Sequence, residues 1–250
     1  MKLYNKYNFL IILSLICFVM LLYSCTPVTE TERKTETEKT EKPIEKVVKN
    51  VDAVARNYIK SENIKSIEKI GFDYDLNGNL FNQEKISTVN YNASGLPEET
   101  IIYDDKSKIE SKFNYKYDST GRRTETIKYS SEGKPENKYT YEYNKYGNKI
   151  KSTRYDLKGN MEKYYLYDYD DYGNLIEERW FNAGDNLEYK IEYEYTEDGK
   201  KKSVYSYNSD NDLLYKYEFK YDKKGNIIEE EKFDNNDKKV GIIQYVYKYF

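Results

Sequence analysis

The sequence predicts an all-β protein, an antiparallel meander of β-hairpin repeats forming an elongated, twisted or spirally curved sheet. Two periodic series and one turn chemistry predict it. Gly95, Gly121, Gly147, Gly173, Gly199 and Gly225 stand 26 residues apart, and four residues before each is a tyrosine, from Tyr91 to Tyr221. A second aromatic series keeps the same step: Tyr103, Tyr129, Tyr155, Phe181, Tyr207 and Phe233. Fixed-period self-similarity means one supersecondary unit copied along the chain, so function is to be sought on a repeated surface. Asx residues open turns and glycine closes them at positive φ, while aromatic residues alternating with polar ones, as in Tyr139-Thr140-Tyr141-Glu142-Tyr143, form half-buried strands.

In chain order, Lys2 and Lys6 precede an apolar run from Phe9 to Leu22, short for a membrane span but suited to a signal peptide over residues 1–24. Leu22, Ser24 and Cys25 resemble a bacterial lipobox, which implies lipidation at Cys25. Cys17 lies in the discarded run, so the mature chain forms no internal disulfide. Residues 25–46, rich in Thr, Glu and Lys, read as a disordered linker that cannot bury enough apolar surface to order itself. Residues 47–84 are an N-terminal cap and a degenerate opening repeat. Val47, Val51, Val54, Ala55 and Tyr58 admit a short amphipathic helix over 44–60, a continued linker being the alternative. Tyr74-Asp75-Leu76-Asn77-Gly78 is a turn three residues out of phase with the later ones. Residues 85–250 hold six repeats and a closing strand at Tyr245-Val246-Tyr247.

If each turn is a type I turn with a glycine bulge, Tyr117 shares a face with Arg123, Glu125, Ile127 and Tyr129, and Tyr129 with Tyr139, Tyr141 and Tyr143. One face of the sheet is then tyrosine-rich throughout. The candidate binding face is Tyr115, Tyr117, Tyr141, Tyr143, Tyr167, Tyr169, Tyr193, Tyr195 and Tyr221, and the other face carries Lys, Glu, Thr and Ser with Trp180, Ile176 and Ile228. Twelve to fourteen strands at about 4.8 Å make a sheet of roughly 60 Å. With 31 Tyr but 34% charged residues and a mean hydropathy of -0.99, aliphatic side chains are too few for a two-layer core. Either the sheet curls with the tyrosines inside, or the tyrosine face meets a partner; the expectation is partial curling that leaves that face open.

Tyr169-Asp170-Asp171-Tyr172-Gly173-Asn174 and Tyr221-Asp222-Lys223-Lys224-Gly225-Asn226, each followed by an alternating strand, resemble the YD repeat of the RHS family. The likeness covers about residues 70 to 250 and implies a spiralling β-sheet. The period here is longer than the family's and the copies fewer, so the sheet architecture is what carries over.

Chemistry is sparse. The absence of histidine removes Ser-His-Asp and Cys-His arrangements, and no catalytic residue is expected. Glu177, Glu178, Glu229, Glu230 and Glu231 read as a solvated cross-strand charge ladder. Asn208-x-Asp210-x-Asp212 and the Asp234 to Asp237 turn have oxygen spacing like the start of a calcium loop, yet turn chemistry accounts for them, so no metal or cofactor is expected. A formal charge of -3 and a pI near 5.5 give no field for nucleic acid. The expected protein is a lipid-anchored lipoprotein of the bacterial envelope, at the outer membrane or cell surface, presenting its tyrosine sheet for structure or to an unknown protein partner. The alternative is a glycan-binding module that stacks sugars on tyrosine.

Overall fold

The structure, a computed structural model, describes residues 48–75 and 77–250. The expected signal peptide, lipidation site Cys25 and linker lie outside the described residues. Among the described residues one helix, α1 (Val51–Ser61), precedes fourteen strands: β1 (Ile64–Tyr74), β2 (Leu80–Tyr91), β3 (Pro97–Tyr103), β4 (Ile109–Tyr117), β5 (Arg123–Ser130), β6 (Pro135–Tyr143), β7 (Lys149–Asp156), β8 (Met161–Tyr169), β9 (Leu175–Asn182), β10 (Leu187–Tyr195), β11 (Lys201–Asn208), β12 (Leu213–Tyr221), β13 (Ile227–Asp234) and β14 (Lys239–Tyr249). Each strand pairs with its sequence neighbours, and β1 pairs with β14 to close an up-and-down antiparallel barrel.

Closure corrects the expected open or spiral sheet. An open meander leaves two edges of unpaired backbone groups, and the right-handed twist of the strands brings those edges together. The seam is zipped from Ile67 opposite Tyr247 to Asp73 opposite Gly241. Its strands depart from the tyrosine pattern, burying Ile64, Ile67, Ile242 and Ile243.

The face assignment also changes. Every long hairpin carries the expected turn: Asp118 N–H donates to the Arg122 carbonyl, Gly121 N–H to the Asp118 carbonyl, and Gly121 has φ +83. But a second bulge follows. Tyr117 stands opposite Arg123 while Lys116 stands opposite Glu125, so Thr124 is extra and the alternation shifts by one. Arg123 therefore shares the inner face with Tyr117, and Thr126 and Lys128 follow on it; Glu125, Ile127 and Tyr129 face outward, contrary to the single-bulge reading. At the opposite end, Lys128 pairs with Asn137 but Tyr129 with Pro135, so Tyr129 stays outside while Tyr139, Tyr141 and Tyr143 turn inward. Trp180, assigned from sequence to the polar face, lies inside, opposite Tyr165 and edge-on to its ring. Ile176 and Ile228 are exposed on the outside.

The second bulge frees a backbone carbonyl, and a tyrosine satisfies it. The hydroxyls of Tyr117, Tyr143 and Tyr169 donate to the carbonyls of Pro97, Arg123 and Lys149, each at 2.7 Å. Those of Tyr195, Tyr221 and Tyr247 donate to Leu175, Lys201 and Ile227, each at 2.8 Å. Every bond spans 20 residues and ties one repeat to the one before it. A second inner ring runs 15 residues back: Tyr115 to Thr100 Oγ1 at 2.6 Å, Tyr141 to Thr126 Oγ1 at 2.7 Å, Tyr167 with Ser152 Oγ at 2.9 Å, and Tyr193 to Glu178. At the fifth place the tyrosine is Phe219, and the residue 15 back is Val204, so donor and acceptor are lost together.

Eight strands are about as many as ordinary side chains fill, and fourteen enclose a wider bore. Tyrosine, long and rigid, reaches inward with a polar tip that can be bonded. Phe219→Tyr alone should bury an unpaired hydroxyl beside Val204 and cost about 1–3 kcal/mol in denaturant midpoint analysis. Adding Val204→Thr should recover most of that loss, and additive single effects would contradict the pairing.

Candidate functional site

The tyrosine-lined interior and the mouth closed by α1 hold the buried polar side chains. The helix is started by Asn50, whose side chain accepts from Ala53 N–H, and it carries Asp52 in its first turn and Lys60 in its last, as the helix dipole favours. Ala55 and Ile59 are buried. Around the mouth lie the turns of the Gly95 series, and α1 with its flanks is bonded to them in succession. Lys49 N–H donates to the Tyr172 carbonyl at 3.1 Å. Asn148 Nδ2 donates to the Lys49 carbonyl at 2.7 Å, and its Oδ1 accepts from Val51 N–H at 3.0 Å. Arg56 Nη1 donates to the Thr120 carbonyl at 2.9 Å, Tyr58 donates to Asn226 Oδ1, and Glu62 pairs with Lys224 at 3.1 Å.

Glycine is required here for space as well as for φ. A Cβ on Gly95 would stand 2.2 Å from the Arg56 carbonyl oxygen, and one on Gly173 2.5 Å from that of Lys49. Gly133 and Gly159, on turns at the far end of the barrel, would meet nothing within 4 Å. The Gly78 turn also belongs to the far end, joining β1 to β2; it precedes Gly95 by 17 residues where Gly133 precedes Gly147 by 14, and the three extra residues lie in the longer strand β2.

Beneath the helix, the first inward position after each turn is Pro97, Arg123, Lys149, Leu175, Lys201 or Ile227. Three of these are cations held among aromatic rings. Arg123 Cζ lies 4.1 Å from the Tyr115 ring centroid and 5.8 Å from that of Tyr141. Lys149 Nζ lies 4.2 Å from the Tyr167 centroid, and Lys201 Nζ 5.0 Å from that of Tyr193. Such contacts strengthen when desolvated. One layer further in, Glu230 receives Tyr245 and pairs with Lys69 at 3.2 Å, both side chains about 5% exposed or less. A chamber of about 30 Å³, room for a water or two, lies between α1 and the wall beside Tyr91, Tyr117 and Arg123. A larger hollow of about 440 Å³ opens at the turn holding Asp198 and Lys200, bordered by Lys201, Phe219 and Tyr221.

The nine tyrosines of the candidate face are thus brought together, but inside the barrel and not on an open sheet. The glutamates divide: Glu177, Glu229 and Glu231 join outer ion pairs, whereas Glu178 and Glu230 face inward and accept from Tyr193 and Tyr245. Asn208 Oδ1 accepts from the N–H groups of Asp210 and Asp212, and Asp234 Oδ1 from those of Asn236 and Lys238, which is turn bonding. Among the described residues no group of three or more His, Cys, Asp and Glu is placed to hold a metal ion. Sequence reasoning missed Asn148, Arg123, Lys149 and Lys201. Their signal was available, since they fill the first and second positions after the glycine, and the single-bulge reading already places Arg123 on the face of Tyr117; the second bulge changes the face of the residues beyond them.

Burial lifts the tyrosine hydroxyls: Tyr91, Tyr115 and Tyr217 stand above the ordinary phenol range, and Tyr165 is pushed up to about 12. Asp118 in its turn goes the other way, held down chiefly by the Thr120 hydroxyl.

No family model matches the chain, and no curated protein matches it. Solved structures do. A porin-like protein from Bacteroides uniformis is similar at 10% identity and a TM-score of 0.41, over 74% of this chain and 98% of that one. A DUF1329 family protein from Desulfovibrio piger is similar at 11% identity and a TM-score of 0.33, over 79% and 90%. A Photorhabdus luminescens Tc holotoxin pore structure is similar at 12% identity and a TM-score of 0.17, over 64% of this chain and 13% of that one. Likenesses this low carry no argument about ligand or reaction.

Two expectations follow. Gly95→Ala and Gly173→Ala should loosen the cap and speed proteolysis within residues 48–62, whereas Gly133→Ala should leave cleavage there unchanged and cost about 1–2 kcal/mol from positive φ alone. Equal cleavage in all three would refute the contact. On the alkaline side, a phenol raised in the folded state stays protonated there while the unfolded chain ionises near pH 10. Stability conferred by the buried tyrosines is therefore complete below pH 10 and is lost as pH rises through the folded values. Tyrosinate absorbance of the inner tyrosines should appear together with loss of far-UV β signal; ionisation well before unfolding would contradict their burial.

Proposed function

We propose that this chain is an exported, lipid-anchored envelope protein of the YD-repeat type, whose capped barrel is a structural or protein-interaction module without catalysis. The observation that carries this reading is that the barrel uses its own tyrosine face. Six hydroxyls are bonded to backbone carbonyls, and those of Tyr141, Tyr167 and Tyr193 to Thr126, Ser152 and Glu178. Hydroxyls engaged in this way read sugar oxygens only by giving up these bonds, and the rings face the barrel interior, so the glycan reading, which needs an open face, is not carried forward.

The outer wall supports a barrel standing in water. Glu125 is bracketed by Lys116 at 2.7 Å and Lys138 at 2.6 Å, and Lys220 bridges Glu229 and Glu231, with Lys239 on the latter. A lysine facing lipid at the midplane costs roughly 2–4 kcal/mol, and here both signs recur on strand after strand. Attachment to the envelope is left to the lipobox-like Leu22 to Cys25 segment.

Cys25→Ser should abolish incorporation of labelled palmitate and release the protein from membranes. Purified protein added to planar bilayers should give no stepwise conductance. Unchanged labelling would overturn the anchor, and porin-like steps would overturn the capped barrel.

A further inference from the structure

The two ends of the barrel differ in what they expose. Tyr146 and Tyr172 occupy the same place in neighbouring turns of the capped end and are 43% and 60% exposed. Beside them Ile150 and Ile176, the extra residues of the second bulge, face outward, and further round the same rim stand Ile228 and Tyr249, all exposed. Lys145 lies over the Tyr146 ring, its Nζ 4.8 Å from the centroid. At the far end the exposed apolar residues Leu80, Phe81, Ile109, Leu157 and Met161 are spread over three hairpins, and the seven turns there carry ten aspartates and glutamates against five lysines, where the six turns of the capped end carry six against five lysines and arginines.

The chain also enters the barrel at the capped end. Lys49, near the start of the described chain, is hydrogen-bonded to the carbonyl of Tyr172 itself. A tether running back from Lys49 to a lipid on Cys25 therefore leaves the barrel within the aromatic patch.

We propose that the outer rim of the capped mouth, with Tyr146, Ile150, Tyr172 and Ile176 at its centre, rests on the surface of the lipid bilayer that holds the anchor. This rests on the lipid-anchored reading above. Tyrosine favours the headgroup region, where its ring is apolar and its hydroxyl wet, and lysine beside it reaches outward to phosphates. The acidic far rim is repelled by anionic lipid and points away, placing its turns where a protein partner in the aqueous phase would meet them.

The full lipidated chain in phosphatidylethanolamine and phosphatidylglycerol vesicles with brominated acyl chains provides the test. Tyr172→Trp should be quenched several-fold more than Leu157→Trp, while Trp180, inside the barrel, is unaffected. Equal quenching, or stronger quenching of Leu157→Trp, would overturn the orientation. Flotation of the same vesicles separates the two readings. A chain that fails to float refutes the anchor and the orientation with it, and a chain that floats with Tyr172→Trp unquenched refutes the orientation alone.

Discussion

The bond from a tyrosine hydroxyl to the carbonyl released by a bulge is the interaction on which this barrel depends. A bulge costs a ladder position and leaves a polar backbone group facing the interior, where an unmatched carbonyl is expensive. Tyr117, Tyr143, Tyr169, Tyr195, Tyr221 and Tyr247 each meet that need in the repeat before their own. The bulge in turn aims the tyrosine inward. Each device makes the other tolerable, and because the pair spans two repeats, neighbouring hairpins are joined by side chains as well as by the ladder.

The interior is accordingly not a hydrocarbon core. Arg123, Lys149 and Lys201 sit against tyrosine faces, and Glu178 and Glu230 against tyrosine hydroxyls, so charge is matched by quadrupoles and hydrogen bonds. Phe219 with Val204 shows the rule from the other side: where the hydroxyl goes, the acceptor goes too. A bore lined in this way and covered over most of one mouth by α1 leaves the outer wall, the two rims and the hollow beside Asp198 and Lys200 as the surfaces on which another molecule can act.

Much of this was legible in the residues. The 26-residue period, the Asx-to-glycine turns, the alternating strands and the helical spacing of Val51, Val54, Ala55 and Tyr58 are local, and local chemistry places them. The candidate site was legible in part: the tyrosines were identified, but not the Arg123, Lys149 and Lys201 series or the role of Asn148. A second bulge leaves little mark in one strand's sequence, because it is a property of how two strands pair. One uncounted residue reverses the face of those that follow it until the bulge at the other end of the barrel restores it.

The sequence by itself determined the repeat, its turns and the inventory of tyrosines seeking cover. Only the tertiary fold makes the closed barrel itself, with its neighbouring strands and α1, the cover they find. Ile67 and Tyr247 stand opposite each other across the seam although 180 residues separate them, and no local preference selects such a pairing. It follows from the accumulated twist of fourteen strands and the cost of leaving two edges and one aromatic face in water.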